Sequence, residues 1–314
     1  MSGPRVVAVV VTYNRRDLLA EALTALGGQT RPPDAVIVVD NASADGTPAM
    51  VRDRFPGADL VELAGNTGGA GGFAAGLARA LEPGAAADPD AEPDLIWLMD
   101  DDTVPEPGAL AALLDARDRA PETPALVASR VVWTDGRDHP MNTPRVKPGA
   151  SKAELAAAAR AGCTPIRSAS FVSVLVDAAL VRERGLPVAD YFLWNDDFEF
   201  TTRLLRGRTG LYCPASVVVH KTRTFGGTDA DPGDRFYYEV RNKLWLFTRS
   251  PGLAPAERVL YAGSSLRRWA RTYARSQDRG TLRRGLRNGL RDGLRRAPRP
   301  TDEVIAAAMR RYDP

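Results

Sequence analysis

The sequence predicts an α/β fold, a mostly parallel sheet flanked by helices, followed by a helical, basic C-terminal extension. Three observations carry this. Short apolar runs alternate with helical periodicity through the first hundred residues, the pattern of a parallel sheet with right-handed crossovers. Polar and acidic residues stand where those apolar runs end: Asp40, Asn66 and Asp100-Asp101-Asp102. Ligands of such sheets bind beyond the carboxyl ends of the strands. Beyond Arg235 strand signals cease and arginines crowd a helical pattern.

Arg5 to Val11 reads as the first strand. Leu18, Leu19, Ala22, Leu23 and Leu26 have helical spacing, and Gly27-Gly28 closes that helix. Ala35 to Val39 is a second strand, Ser43 to Arg54 a short helix and Asp59 to Leu63 a third strand. A Gly-rich turn from Gly65 to Gly72 leads into a helix over Phe73 to Leu81. Pro83 to Pro93 has loop composition, and Asp94 to Met99 is the fourth strand. Further on come a helix over Ala109 to Ala120, a strand over Ala125 to Trp133 and an irregular stretch from Thr134 to Ala150. Ser168 to Val176 and Leu211 to Val219 read as strands, the latter ending at His220. Asp196 opens a helix reaching Arg206, and Thr222 to Asp234 has the Gly, Thr and Asp content of a mobile loop. The expected division is 1–102, 103–235 and a helical extension over 236–314.

A chain of 314 residues with 44% hydrophobic content can bury a sizeable core. No apolar run reaches the ~18 residues of a membrane helix. The apolar run Val6 to Val11 is too short for a signal peptide and reads as a strand. The two cysteines, Cys163 and Cys213, lack metal-ligand spacing and read as buried thiols, which suits a reducing cytoplasm. The net charge of +3 conceals an asymmetry: Leu266 to Pro314 holds 14 Arg against 5 acidic residues. That leaves a basic tail on an acidic body.

Asp100-Asp101-Asp102 follows the apolar run Leu95 to Met99. Adjacent carboxylates repel, and a hard divalent cation relieves them while keeping a phosphate ligand. The alternative is a polar turn, Thr103-Val104-Pro105, capping the next helix at Asp102 or Thr103. A second acidic cluster, Asp196-Asp197-Phe198-Glu199, follows Trp194. The helix dipole favours acids in a first turn, but surrounding aromatics would also desolvate a carboxylate and make it a better base. His220 ends a strand and can join carboxylates around a metal or simply hydrogen-bond. His139, in a Gly/Pro/Asp-rich loop, carries no functional signal. Gly69 to Ala74 fits G-x-G-x-x-A, so backbone N–H groups there could approach a phosphate or sugar. It follows the third strand rather than the first, and no ribose-binding acid follows it.

In order and spacing these segments resemble the inverting glycosyltransferases of family 2, which have the GT-A fold. Val9 to Asn14 is similar to that family's opening strand, Val38 to Asp45 to its nucleotide-binding turn, and Asn66 to Phe73 to a turn of the galactofuranosyl- and rhamnosyltransferase branch. Asp100 to Asp102 resembles the DXD metal motif, Asn195 to Glu199 the stretch with the catalytic base, and Arg235 to Asn242 a segment after the mobile loop. The resemblance covers about residues 5–250.

It implies transfer of a sugar from a nucleotide diphosphate donor, of UDP-galactofuranose or dTDP-rhamnose type, to an acceptor hydroxyl on a glycan, a lipid-linked glycan or a small molecule. Thr12, Tyr13, Asp40, Asn41, Asn66, Gly69, Asp100 and Asp101 would contact donor. Asp100, Asp102 and His220 would hold Mn²⁺ or Mg²⁺. Asp197, rather than Asp196, would be the base, and Trp194, Asp196 and Glu199 would face the acceptor. Asp101 points to the nucleotide or holds the turn. The competing readings are a non-catalytic nucleotide-sugar-binding or assembly module and a sugar-nucleotide pyrophosphorylase.

In the tail, Arg267, Arg271, Arg275, Arg279, Arg283, Arg287, Arg291 and Arg295 recur every fourth residue, as do Leu282, Leu286, Leu290 and Leu294. Gly280, Gly285, Gly289 and Gly293 weaken such a helix by ~1 kcal/mol each, so it needs a surface to fold against. An anionic membrane, contacted through 265–296, suits the charge; a solvated helix or a sister subunit are the alternatives. No nucleic-acid recognition motif is present. The expected location is the cytoplasm, peripheral to the inner face of the cell membrane.

Overall fold

The structure, a computed structural model, describes residues 3–82, 92–225 and 231–309. Its first half alternates as expected: β1 (Val6–Thr12), α1 (Arg16–Gly27), β2 (Ala35–Asp40), α2 (Thr47–Arg54), β3 (Asp59–Glu62), α3 (Gly68–Leu81) and β4 (Leu95–Asp100). There follow β5 (Thr103–Pro105), α4 (Ala109–Arg119), β6 (Leu126–Val132), α5 (Lys152–Arg160), β7 (Thr164–Ile166), β8 (Val174–Asp177), α6 (Ala178–Arg184), α7 (Asp196–Leu204) and β9 (Gly210–His220). Four helices complete the described chain: α8 (Phe236–Thr248), α9 (Pro255–Arg275), α10 (Arg279–Arg295) and α11 (Thr301–Met309). The expected loop over Pro83 to Pro93 lies largely outside the described residues, as does part of the expected mobile loop.

One sheet runs through the molecule in the order β3-β2-β1-β4-β8-β6-β9-β5, with β7 paired to β9. β1 to β4 are mutually parallel, and β6 and β9 are parallel to each other. β8 is antiparallel to both β4 and β6 and bridges the two blocks. Alternation along β1 shows how the core is divided. Val7, Val9 and Val11 pack with Phe73, Leu77 and Phe200 on one face. Val6, Ala8 and Val10 pack with Leu19, Leu23, Leu110 and Leu113 on the other. Both faces are covered, so the strands read as continuous apolar runs.

Several expectations are corrected. The stretch from Gly68 to Gly72 is the start of α3, not a turn before it. A Cβ on Gly72 would lie 2.4 Å from Val11 Cγ1, and one on Gly76 2.4 Å from Val9 Cγ1; these glycines let the helix approach the sheet. Thr103-Val104-Pro105 is a strand rather than a helix-capping turn, because it pairs with β9, and α4 starts after Gly108. The strand expected over Ser168 to Val176 is shortened to β8, and α5 and β7 went unpredicted. The tail is three helices, so the arginine series is split between α9 and α10. The α10 glycines also have a use: a Cβ on Gly289 would stand 2.8 Å from Val240 Cβ and one on Gly293 2.8 Å from Leu244 Cδ1. The surface that supports this helix is α8 of the same chain. Cys163 and Cys213 are free buried thiols, as expected; Cys163 Sγ donates to Ala161 O at 3.3 Å and Cys213 Sγ to Ala112 O at 3.6 Å.

Candidate active site

The parallel strands deliver their carboxyl ends to one edge. Thr12 ends β1, Asp40 ends β2, Asp100 ends β4 and His220 ends β9. His220 reaches Asp102 because the chain after the triplet reverses into β5, which pairs Thr103 with His220; Lys221 N–H donates to the Asp102 carbonyl at 2.8 Å. One ligand atom from each of Asp100, Asp102 and His220 falls within 4.8 Å of the others.

The protonation pattern suits a cation. Asn142 donates to Ser170 Oγ at 3.2 Å, which aims its carbonyl oxygen at His220 Nδ1, 2.9 Å away. The Nδ1 proton is thereby used and the Nε2 lone pair faces Asp102 Oδ1 at 3.1 Å. Asp102 Oδ1 is buried and accepts no hydrogen bond. Two lone-pair atoms in that relation call for a proton or a metal ion between them. The donor set, two carboxylates and one imidazole, fits Mn²⁺ or Mg²⁺. Burial and its two acidic neighbours push Asp100 well above the usual carboxylate range. Burial also disfavours charge on Asp102, but His220 and Arg15 outweigh it and hold this carboxyl below its ordinary value.

Asp101 turns away from these ligands. It accepts from Thr12 Oγ1 at 2.9 Å, Tyr13 N at 3.2 Å and Arg15 Nη1 at 3.2 Å, so of its two expected roles it holds the turn. Burial nonetheless raises it to about 6. Arg15, which also pairs with Asp102, went unrecognised in the sequence because single arginines after a strand are common. Asp40 is 2% exposed; one oxygen accepts from Ser43 N at 2.9 Å, and the other is buried without a partner. Tyr13 is open to solvent. Asn41 is spent within the protein: it accepts from Thr67 N and Oγ1, and donates to Gly68 O, each at 2.9 Å. Asn66 is exposed and accepts from Gly68 N at 2.8 Å. Gly69 has open space around it, but the next free N–H of α3, on Ala70, already donates to Phe192 O at 3.2 Å.

The second acidic cluster sits on strained backbone. Phe192, Trp194 and Asn195 have φ of 66°, 67° and 66°, left-handed values unfavourable for such side chains. The segment is held by α8. Asn242 Nδ2 donates to the carbonyls of Tyr191, Leu193 and Trp194 at 3.0, 2.9 and 2.8 Å. Arg241 reaches Asp190 O and Tyr191 O at 2.7 and 3.0 Å, and Asn195 Nδ2 donates to Glu239 at 2.9 Å. The sequence Glu239 to Asn242 is thus a clamp for the loop that presents Asp196 and Asp197. Burial and Asp197 push Asp196 up to about 8. Burial also raises Asp197, against the opposing Phe198 N–H at 2.6 Å and the nearby Lys243. Lys243 is itself pushed down to about 8 by burial, between the rings of Phe198 and Phe247. Asp196 is among the negative charges that raise Asp100, so the second cluster begins near the first. Glu199 departs from expectation: it is 1% exposed, and Arg203 at 2.9 Å and Ser250 at 2.7 Å occupy it. It is a structural ion pair rather than an acceptor contact. His139, passed over in the sequence, stacks 5.0 Å from His220.

A sheet that gathers an Asp-Asp-His set at its strand ends, with a second acidic cluster near it, fits the architecture of a GT-A glycosyltransferase. The description "Glycosyl transferase family 2" matches residues 7–172. The chain belongs to that family and is a glycosyltransferase. It is similar to the galactofuranosyltransferase GlfT1 of Mycobacterium tuberculosis, 32% identical over 270 residues, covering 79% of this chain and 83% of that one. It is also similar to the N-acetylglucosaminyl-diphospho-decaprenol L-rhamnosyltransferase of the same organism, 34% identical over 38% of each chain. Its fold matches S. aureus TarS 1–349 in complex with UDP-GlcNAc, with a TM-score of 0.60, 17% identity and coverage of 96% and 84%. It also matches a mannosyltransferase from Pyrobaculum calidifontis in complex with GDP-Man and Mn²⁺, with a TM-score of 0.53, 19% identity and coverage of 98% and 85%.

Proposed function

We propose that this glycosyltransferase is metal-dependent and inverting, and moves galactofuranose or rhamnose from its nucleotide diphosphate donor to a hydroxyl of a polyprenyl-diphosphate-linked glycan. The observation that carries this reading is the Asp100/Asp102/His220 set, with Asp196 near Asp100 and Asp197 next to it in the chain. The relatives named above support the sugar and the lipid-linked acceptor.

Asp100, Asp102 and His220 would hold Mn²⁺ or Mg²⁺, which when bound neutralises charge on the leaving diphosphate. Asp40, with its unpartnered buried oxygen, would accept from the base or ribose, and Tyr13 would cover that pocket. Asn66 and Gly69 would border the donor from the α3 side. Asp197 would accept the acceptor's hydroxyl proton as that oxygen attacks the anomeric carbon from the face opposite the diphosphate, giving inversion in one displacement. Its burial strengthens it as a base, and the clamp on residues 191–195 fixes its position. Asp196, held protonated by burial, and Trp194 would orient the acceptor. Residues 1–102 would then serve the donor, 103–235 the acceptor and chemistry, and 236–314 the clamp and the outer surface. No helix among the described residues is long and apolar enough to cross a membrane; a lipid-linked acceptor places the enzyme peripherally at the inner face.

The test is transfer with purified protein, Mn²⁺, a synthetic polyprenyl-diphosphate disaccharide and a panel of nucleotide sugars, read by mass spectrometry. Product from UDP-galactofuranose or dTDP-rhamnose, abolished by EDTA and restored by Mn²⁺, is expected. Transfer only from other sugars, or full turnover after exhaustive EDTA, would overturn the reading.

A further inference from the structure

α9 is bare along one side. It is 21 residues long, and Ser265 is its one buried residue. Three anchors hold its inner side. At its start Glu257 binds Arg167 at 2.7 Å. In its middle Arg268 pairs with Glu239, and Trp269 Nε1 donates to the same carboxylate at 3.1 Å. Just beyond its end Ser276 donates to Asp231 at 2.6 Å. The opposite side carries Ala256, Val259, Gly263, Leu266, Ala270 and Ala274, all exposed, at helical spacing. Leu260, Arg267 and Arg271 flank that stripe. Val259 is 76% exposed, Leu260 60% and Leu266 62%. Arg267 and Arg271 make no ion pair among the described residues, and the helix's one acid, Glu257, is bound by Arg167.

We propose that this face of α9 seats the enzyme on an anionic lipid bilayer, with Val259, Leu260 and Leu266 entering the interface and Arg267 and Arg271 meeting lipid phosphates. An amphipathic helix with low overall hydrophobicity, an apolar stripe and arginines beside it is the kind of element that lies in the plane of a membrane surface. Charge selects the occupant. A second copy docking face to face would bring Arg267 and Arg271 of both chains together with no acid to pair them, whereas an anionic bilayer complements them. The face overlaps the expected 265–296 at Leu266, Arg267 and Arg271 and extends it back to Ala256, while the glycine side of α10 is consumed by α8. The position also suits delivery of a lipid-linked acceptor: Tyr261 on the inner side of α9 meets Phe198, the neighbour of Asp197, with ring centroids 5.2 Å apart. That last link rests on the proposed reaction. The surface itself does not, and a binding measurement separates them.

Flotation of the full chain with vesicles of phosphatidylcholine containing about 30 mole per cent phosphatidylglycerol tests this. Wild type is expected in the floating fraction with these vesicles and not with phosphatidylcholine alone. The variant Val259→Ser/Leu260→Ser/Leu266→Ser, with an unchanged melting temperature, is expected to fall about tenfold or more in recovery. Arg267→Gln/Arg271→Gln is expected to lose the preference for anionic vesicles. Equal recovery of the serine variant and wild type, or no flotation of wild type, overturns the proposal. So does a wild-type dimer by sedimentation that the serine substitutions convert to monomer without any flotation, which would assign the face to a second copy.

Discussion

The two acidic clusters are built from the same residue type and differ in the side chains that surround them. Asp101 and Asp102 have close side-chain partners: Arg15 touches both, and His220 stands 3.1 Å from Asp102. Asp196 is buried and Asp197 half-buried at the first turn of α7, and desolvation pushes both up. Burial raises Asp100 and Asp101 as well, so what distinguishes the first cluster is the side chains paired with it, Arg15 and His220. A short acidic run therefore states that chemistry occurs, and the surroundings decide which chemistry.

Substitutions on each side probe that contrast. The largest effect is expected at Asp197. Asp197→Asn should lower kcat by about 10²–10⁴ while calorimetry shows donor binding unchanged; retained turnover would move the base elsewhere. Next is Asn142→Leu, which frees the His220 imidazole to rotate and should weaken Mn²⁺ activation by roughly 10–100-fold. Activity titrated against Mn²⁺ measures it, and an unshifted curve would remove His220 from the ligand set. Asn242→Leu removes the side-chain donor of the Leu193 and Trp194 carbonyls and one of several at Tyr191, and should cost about 1–3 kcal/mol in thermal or denaturant unfolding. On the proposed division its kcat should fall more than its donor affinity; equal losses in both would contradict that division.

The smallest effect separates the clusters by pH. Asp196 has a raised folded value of about 8, so the folded state holds a proton that the unfolded chain releases near its ordinary carboxylate value. Its contribution is therefore most favourable below the unfolded value and is lost as pH rises towards 8. Asp196→Asn removes that loss. In metal-free buffer the variant should gain melting temperature relative to wild type as pH rises from about 5 to 8, and a difference constant across that range would refute a protonated Asp196.

Legibility divides along the same line. The first half was readable because β1 to β4 alternate with helices in order, and each strand's end is written next to its apolar run. Periodicity of burial is a local property, so sequence alone determined the α/β class, the parallel first half and the position of Asp40 and Asp100 at strand ends. The family resemblance added Asp197 and His220. Tertiary structure decided the rest. The β5–β9 register brought His220 to Asp102 across more than a hundred residues. Close helix-to-sheet packing turned an apparent phosphate-binding glycine run into the body of α3. Glu199 looked equal to its neighbours until helical phase turned it toward Arg203 and Ser250. Asn142, Arg15 and the Arg241-Asn242 clamp act through partners far away in the chain, and the bare side of α9 became visible only when α8 had claimed α10. Propensity and periodicity are written in neighbouring residues, whereas register, helical phase and the choice of hydrogen-bond partner are settled by which distant surfaces meet.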